Sequence, residues 1–334
     1  MEIAVFGSGG WGTALAILLH QNGHQVTLWS YLEEESHVLR QKRENPLLPG
    51  VSLPELAFTS DPACARGKHL IVMAPPSFAA RSTAETIAPY LEQDAVLVSA
   101  TKGIERGTSL RMSQILEEVT GRTVAVLSGP SHAEEVGRNI PTGCVAACRD
   151  LKTAQMVQDV FMNERFRVYS SPDVVGVELG AALKNVIALG AGICDGMGFG
   201  DNTKALLMTR GLTEIARLGM ALGARQDTFA GLAGVGDLIV TCTSMHSRNR
   251  RAGILIGKGE TPEQAMKEVG AVVEGYYATA SAMELAKKVG VEMPITEATY
   301  AVLYKGVSVQ QMQRSLMTRT RTTEVHAMED SGWN

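Results

Sequence analysis

A short apolar run at residues 3–6 leads straight into Gly7-Ser8-Gly9-Gly10-Trp11-Gly12 and then into the helix-forming TALAILLHQNG. GxGxxG between a strand and a helix is the phosphate-binding turn of a dinucleotide fold. Gly7 permits the tight turn, Gly9 lets backbone approach a pyrophosphate, and Gly12 lets helix and strand pack closely. The phosphates would lie at the helix N-terminus, against free N–H groups and the positive end of the helix dipole. The bland reading is a glycine-rich tight turn. Its place at the first strand of a chain that goes on alternating favours the dinucleotide reading.

The alternation is explicit. Further apolar, β-branched runs recur at 26–29, 70–74, 96–99, 124–127, 144–147 and 167–169, with helical stretches such as 13–21 and 111–119 between them. Strands alternating with helices of this length imply βαβ units around a mostly parallel sheet. Runs that are continuously apolar agree, because such strands are covered on both faces. Near residue 175 the pattern changes to helical periodicity, as in ELGAALKNVIALGAGI and ATASAMELAKKVG, with no convincing strand afterwards. The expected fold is therefore α/β: an N-terminal Rossmann-type, doubly wound, mostly parallel sheet over 1–177, then an all-helical C-terminal domain over 178–334. A length of 334 residues suits two domains of unequal kind. The polar tail from Arg319 reads as frayed or loosely packed.

Composition mainly excludes. A net charge of −4 offers no basic field for nucleic acid or an anionic membrane. The apolar stretch around 179–194 is interrupted by Lys184, Asn185 and glycines and falls short of the ~20 residues of a membrane span. Cys64, Cys144, Cys148, Cys194 and Cys242 form no CxxC or Cys/His metal spacing, and the histidines form no HExxH, so no metal is expected. Free thiols in a reducing cytoplasm fit that spacing.

The second strand ends in Ser30-Tyr31 where an NAD site would place an acid on the ribose 2′-OH. Glu33, Glu34 and Glu35 read as the exposed first turn of a helix, and Arg40 and Arg43 could meet a 2′-phosphate only by folding back. That pattern leans towards NADP. Strand ends also carry Ala100-Thr101-Lys102-Gly103 and Ser128-Gly129-Pro130-Ser131, where ligands of open α/β sheets bind. Ser131 with Glu134 spells a capping box, and Lys102 alone reads equally well as a solvated loop lysine.

In the helical half, Lys184 has Gly180, Ala181, Ile187 and Ala188 as helical neighbours. Desolvation on such a face would lower its pKa towards the range of a proton donor and acceptor. Asp237, in GLAGVGDLIV, reads as a buried carboxylate needing a partner, with Lys184 and Arg248 as candidates. Ser247 is placed to cap a helix whose first turn carries Arg248 and Arg251. Cations there oppose the dipole, so a substrate phosphate would relieve the conflict; the alternative is a solvated basic patch.

Taken in order, GSGGWGTALA, ATKG, SGPSHAEE, ELGAALKNVIALGAG, GLAGVGDL, SRNRRAG and VVEGYYA resemble the NAD(P)-dependent glycerol-3-phosphate dehydrogenase family of bacteria over nearly the whole chain. The resemblance implies reversible reduction of dihydroxyacetone phosphate to sn-glycerol 3-phosphate with NADP or NAD, supplying glycerophospholipid synthesis in a cytoplasmic homodimer. It places Lys184 as general acid/base, with Lys102 and Asp237 beside it as catalytic residues. It assigns substrate contacts to Lys102, Gly129, Ser131, Lys184, Asp237, Ser247, Arg248 and Asn249. Cofactor contacts fall on Gly10, Trp11, Lys102, Ala133, Arg248, Val272 and Glu274, with the glycines of the turn. Two departures stand out: Ser30-Tyr31, where relatives often carry a basic residue, and Pro75-Pro76-Ser77 after the third apolar run. A related dehydrogenase of an unphosphorylated hydroxy acid and a non-catalytic NAD(P) sensor are the competing functions. Arg248 beside Ser247 weighs against the first, and Lys184 with Asp237 against the second.

Overall fold

The computed structural model describes residues 1–321, 323 and 324. Eight strands form one sheet in the order β3-β2-β1-β4-β5-β6-β7-β8. They are β1 (Glu2–Phe6), β2 (Gln25–Trp29), β3 (Ala57–Thr59), β4 (Leu70–Met73), β5 (Val96–Ser99), β6 (Val124–Ser128), β7 (Thr142–Ala147) and β8 (Phe166–Ser171). Every neighbouring pair is parallel except β6 with β7. Helices α1 (Gly10–Gln21), α2 (Glu33–Lys42), α3 (Ala80–Ile87), α4 (Met112–Thr120), α5 (Ala133–Gly137) and α6 (Leu151–Phe161) fall between strands.

Alternation along β1 shows why helices are needed on both faces. Ile3 and Val5 pack with α1 and α6 residues such as Leu15 and Val157, whereas Ala4 and Phe6 pack with α3 and α4 residues such as Ile87 and Leu116. The seven apolar runs read from sequence all form strands; β3 is an addition. With three residues, paired only to β2 at the sheet edge, β3 is too short to carry a periodic signal.

After β8 the chain is helical: α7 (Val174–Gly196), α8 (Asp201–Ala221), α9 (Gln226–Phe229), a π-helical turn at Leu232–Gly236, α10 (Asp237–Thr243), α11 (Arg248–Gly257), α12 (Pro262–Val269), α13 (Glu274–Val289), α14 (Pro294–Lys305) and α15 (Val309–Met317). Asp173 starts α7 by accepting from Gly176 N at 2.9 Å. The stretch that reads as too short for a membrane span thus extends to a 23-residue helix whose most apolar 18-residue window has a mean hydropathy of 1.5, long and apolar enough to cross one. However, 94% of its most apolar window is buried within the protein, as in a core helix. Helix α11 crosses α7 very closely: a Cβ added at Gly192 would lie 2.1 Å from Arg250 O, and one at Gly253 would lie 2.1 Å from Leu189 O. That contact seats α11 against the helix carrying Lys184. Arg319 lies at the surface near Glu292, and most of the tail falls outside the described residues.

A buried ion pair joins the sheet to the helices. Arg111, the N-cap residue of α4, donates to Glu178 in α7, which also accepts from Ser113 N at 2.7 Å and Ser113 Oγ at 2.6 Å. Burial pushes the Glu178 carboxyl above its ordinary range, and the Arg111 charge only partly offsets it. Glu178→Ala, which strands Arg111 in the interior, is expected to cost about 3–5 kcal/mol in denaturant unfolding. Replacing both partners with methionine should recover much of that loss; a Glu178→Ala cost below ~1 kcal/mol would refute a structural role for the pair.

Candidate active site

The carboxyl ends of β1, β4, β5 and β6 come together with the N-terminal ends of α1 and α10: Ala74 O lies against Gly7, Trp11 donates to Ala100 O, and Lys102 donates to Gly129 O and Asp237. At β1 the glycine turn has the expected build. Gly7 has φ +119°, a region side chains rarely adopt, and a Cβ at Gly12 would sit 1.9 Å from Gly7 O. By contrast a Cβ at Gly9 meets nothing within 4 Å, and the α1 N-terminus has no side-chain cap. An uncapped helix end on an open backbone fits a pyrophosphate group. Ala133 lies against Gly10, and the Trp11 indole donates to Ala100 O at 3.2 Å, tying the turn to the end of β5.

The titratable centre is built from both halves of the chain. Asp237, 1% exposed at the start of α10, takes Lys184 Nζ on Oδ1 at 2.7 Å and Lys102 Nζ on Oδ2 at 2.8 Å. Lys184 Nζ also donates to Thr241 Oγ1 at 2.6 Å, and Lys102 Nζ to Gly129 O at 3.0 Å. The small residue Gly180 lets the π-helical turn, whose Ala233 O would be 2.3 Å from a Cβ there, lie on α7 and bring Asp237 to Lys184. Burial drives the Lys184 pKa down and the Lys102 charge adds to it; Asp237 opposes both, leaving it at about 8. Burial would raise Asp237, but the two ammonium groups outweigh it and hold the carboxyl below its ordinary range.

Two sequence expectations need correction. The second partner of Asp237 is Lys102, from the distant β5 end, rather than Arg248, which is exposed on α11. The capping box at Ser131 does not form: His132 holds the N-cap position of α5, and Ser131 Oγ turns back to donate to Gly129 O at 3.1 Å. That leaves Ser131 beside Gly129 and Lys102. His132 is mostly buried there; burial, then the Lys184 charge, lowers its pKa.

Ser247 does cap α11, accepting from Arg250 N at 3.2 Å. Asn249 donates to Asn185 Oδ1 at 2.9 Å and accepts from Gly275 N at 2.8 Å, linking α11 to the residue after Lys184 and to α13. Glu274 opens α13 and accepts from Ser77 Oγ at 2.6 Å and Ser77 N at 3.2 Å. Burial raises its pKa; the nearby Arg248 charge opposes the rise. Pro75-Pro76-Ser77 therefore touches the site through Ser77. Val272 enters only by position, half-buried two residues before Glu274. Sequence reasoning missed Thr241 and Asn185. Thr241 lies four residues after Asp237, one helical turn on, which was the available signal.

Comparison with known proteins gives the family. Residues 2–154 match the family model described as NAD-dependent glycerol-3-phosphate dehydrogenase N-terminus, and residues 173–314 its C-terminus. The chain is 55% identical to glycerol-3-phosphate dehydrogenase [NAD(P)+] of Moorella thermoacetica, covering 99% of both chains. It is 52% identical to the enzyme of the same name from Thermoanaerobacter, covering 98% of this chain and 100% of that one. The crystal structure of glycerol-3-phosphate dehydrogenase from Coxiella burnetii superposes with a TM-score of 0.92 at 36% identity, over 95% of this chain and 99% of that one. With family matches to both its halves and 55% identity over 99% of its length, the chain belongs to the NAD-dependent glycerol-3-phosphate dehydrogenase family.

Proposed function

We propose that this chain catalyses the reversible reduction of dihydroxyacetone phosphate to sn-glycerol 3-phosphate, using NADH or NADPH. The observation that carries the reading is one buried carboxylate shared by two lysines, one of them with its pKa brought to about 8, at the sheet crevice beside the dinucleotide turn. Gly7, Gly9, Gly10, Trp11 and Gly12, with Lys102, Ala133, Arg248, Val272 and Glu274, would hold the cofactor. When bound, the reduced nicotinamide supplies the hydride taken up by the ketone carbon.

The protein's part is the proton and the positioning. Lys184 holds a proton that it can give to the ketone oxygen, at a pKa close to neutrality. Lys102 offsets negative charge on that oxygen, and Asp237 orients both ammonium groups and a substrate hydroxyl. Gly129 and Ser131 contact the glycerol backbone, and Ser247, Arg248 and Asn249 hold its phosphate at the N-terminus of α11. In this reading residues 1–177 bind the cofactor and 178–334 the substrate, and the enzyme works as a cytoplasmic homodimer supplying glycerophospholipid synthesis. The five free cysteines suit a reducing compartment.

The direct test is the near-ultraviolet absorbance of the reduced nicotinamide. Dihydroxyacetone phosphate should discharge it with at least one of the two cofactors; no turnover with either would overturn the reading. Arg248→Ala should raise KM for the phosphorylated substrate by about tenfold or more with a smaller effect on kcat. An unchanged KM would leave Arg248 as a solvated surface cation.

A further inference from the structure

The pyrophosphate turn at α1 separates the two halves of a dinucleotide. Lys102, Gly129 and Lys184 stand on the β5 and β6 side, so the nicotinamide goes there and the adenosine half crosses the end of β2 on the opposite side of β1. This assignment rests on reading Gly7 to Gly12 as the dinucleotide turn. The end of β2 carries no acid in the sequence, and Ser30 is fully buried there. In three dimensions a carboxylate arrives from elsewhere. Glu35, in the first turn of α2, reaches the glycine turn itself and accepts from Ser8 Oγ at 3.3 Å. Glu33 and Glu34 share that helical turn, and Tyr31 stands 80% exposed beside it.

The two arginines that could answer a 2′-phosphate are already engaged with backbone at the sheet edge. Arg40 donates to Phe58 O at the sheet edge, and Arg43 donates to Pro54 O at 2.6 Å with Glu55 at 3.8 Å. A ribose 2′-hydroxyl can donate to a carboxylate, whereas a 2′-phosphate brings a second negative charge against it.

We propose that Glu35, held by Ser8, is the specificity-determining residue of the adenosine ribose corner and selects a dinucleotide with a free 2′-hydroxyl over its 2′-phosphorylated form. On this proposal the preference is for NAD, against the lean towards NADP drawn from Ser30-Tyr31, because the acid comes from α2 and not from the strand.

Calorimetric titration of the full chain with NADH and with NADPH tests this without turnover. The wild-type protein should bind NADH at least about tenfold more tightly. Glu35→Gln, an exposed and isosteric change, should close most of that gap by strengthening NADPH binding. Equal affinities, a preference for NADPH, or a ratio unchanged in Glu35→Gln would each overturn the role of Glu35 while leaving the dinucleotide turn intact. Binding of neither compound would overturn the turn assignment itself, and the proposal with it.

Discussion

Lys184→Ala is expected to lower kcat for ketone reduction by at least about a hundredfold while leaving the affinity for the reduced cofactor unchanged. The size follows from what is removed. Lys184 is 6% exposed, and its Nζ contacts Asp237 and Thr241. The variant therefore loses both the proton and the charge next to the developing oxyanion. Its pH dependence gives a sharper check. With the ammonium pKa lowered to about 8, reduction needs the protonated form, so the wild-type rate at saturating substrate should fall as pH rises through that value. Oxidation of glycerol 3-phosphate needs the neutral amine and should rise through the same value. Lys184→Arg keeps a cation but cannot release its proton near neutrality, so it should remain slow and lose the limb in both directions. An alanine variant with most of its kcat, or one keeping the limb, would remove Lys184 from the proton transfer.

How much of this could be read from the linear chain depended on the range of each interaction. The strands of the sheet were visible because a strand covered on both faces is written locally, as a run of apolar residues. Residues 57–59 were not, since a three-residue edge strand owes its existence to pairing with β2. The burial of Lys184 was legible because its shielding neighbours lie one helical turn away on α7. Its electrostatics were only half legible: Lys102 reaches Asp237 across 135 residues of sequence, and no local pattern encodes that distance. Ser131 failed in an instructive way. The SHAE spelling satisfies the capping box, but the backbone enters α5 one residue later, so His132 takes the cap position and the hydroxyl turns to Gly129 O. Glu35 is a similar case, read as an exposed helix turn, which it is, while its contact with Ser8 depends on how α2 folds back over the glycine turn.

Asp237→Asn should be nearly as damaging as loss of Lys184, for a reason that pH can isolate. The carboxylate opposes two influences that lower the Lys184 pKa, burial and the Lys102 charge. With a neutral amide in its place both act unopposed. The limb for reduction should then move down by about 1–3 pH units, as expected when an opposite charge within hydrogen-bond distance is deleted. At pH 7 the donor would be between half and almost wholly deprotonated, and kcat should fall by about a hundredfold or more from lost protonation and lost orientation together. The two losses separate on acidification. Activity of Asp237→Asn should partly return as pH is lowered through the displaced limb, whereas Lys184→Ala, having no proton to regain, should stay inactive. A merely structural role for Asp237 would instead lower the rate by the same factor at every pH, and its variant would keep the wild-type limb.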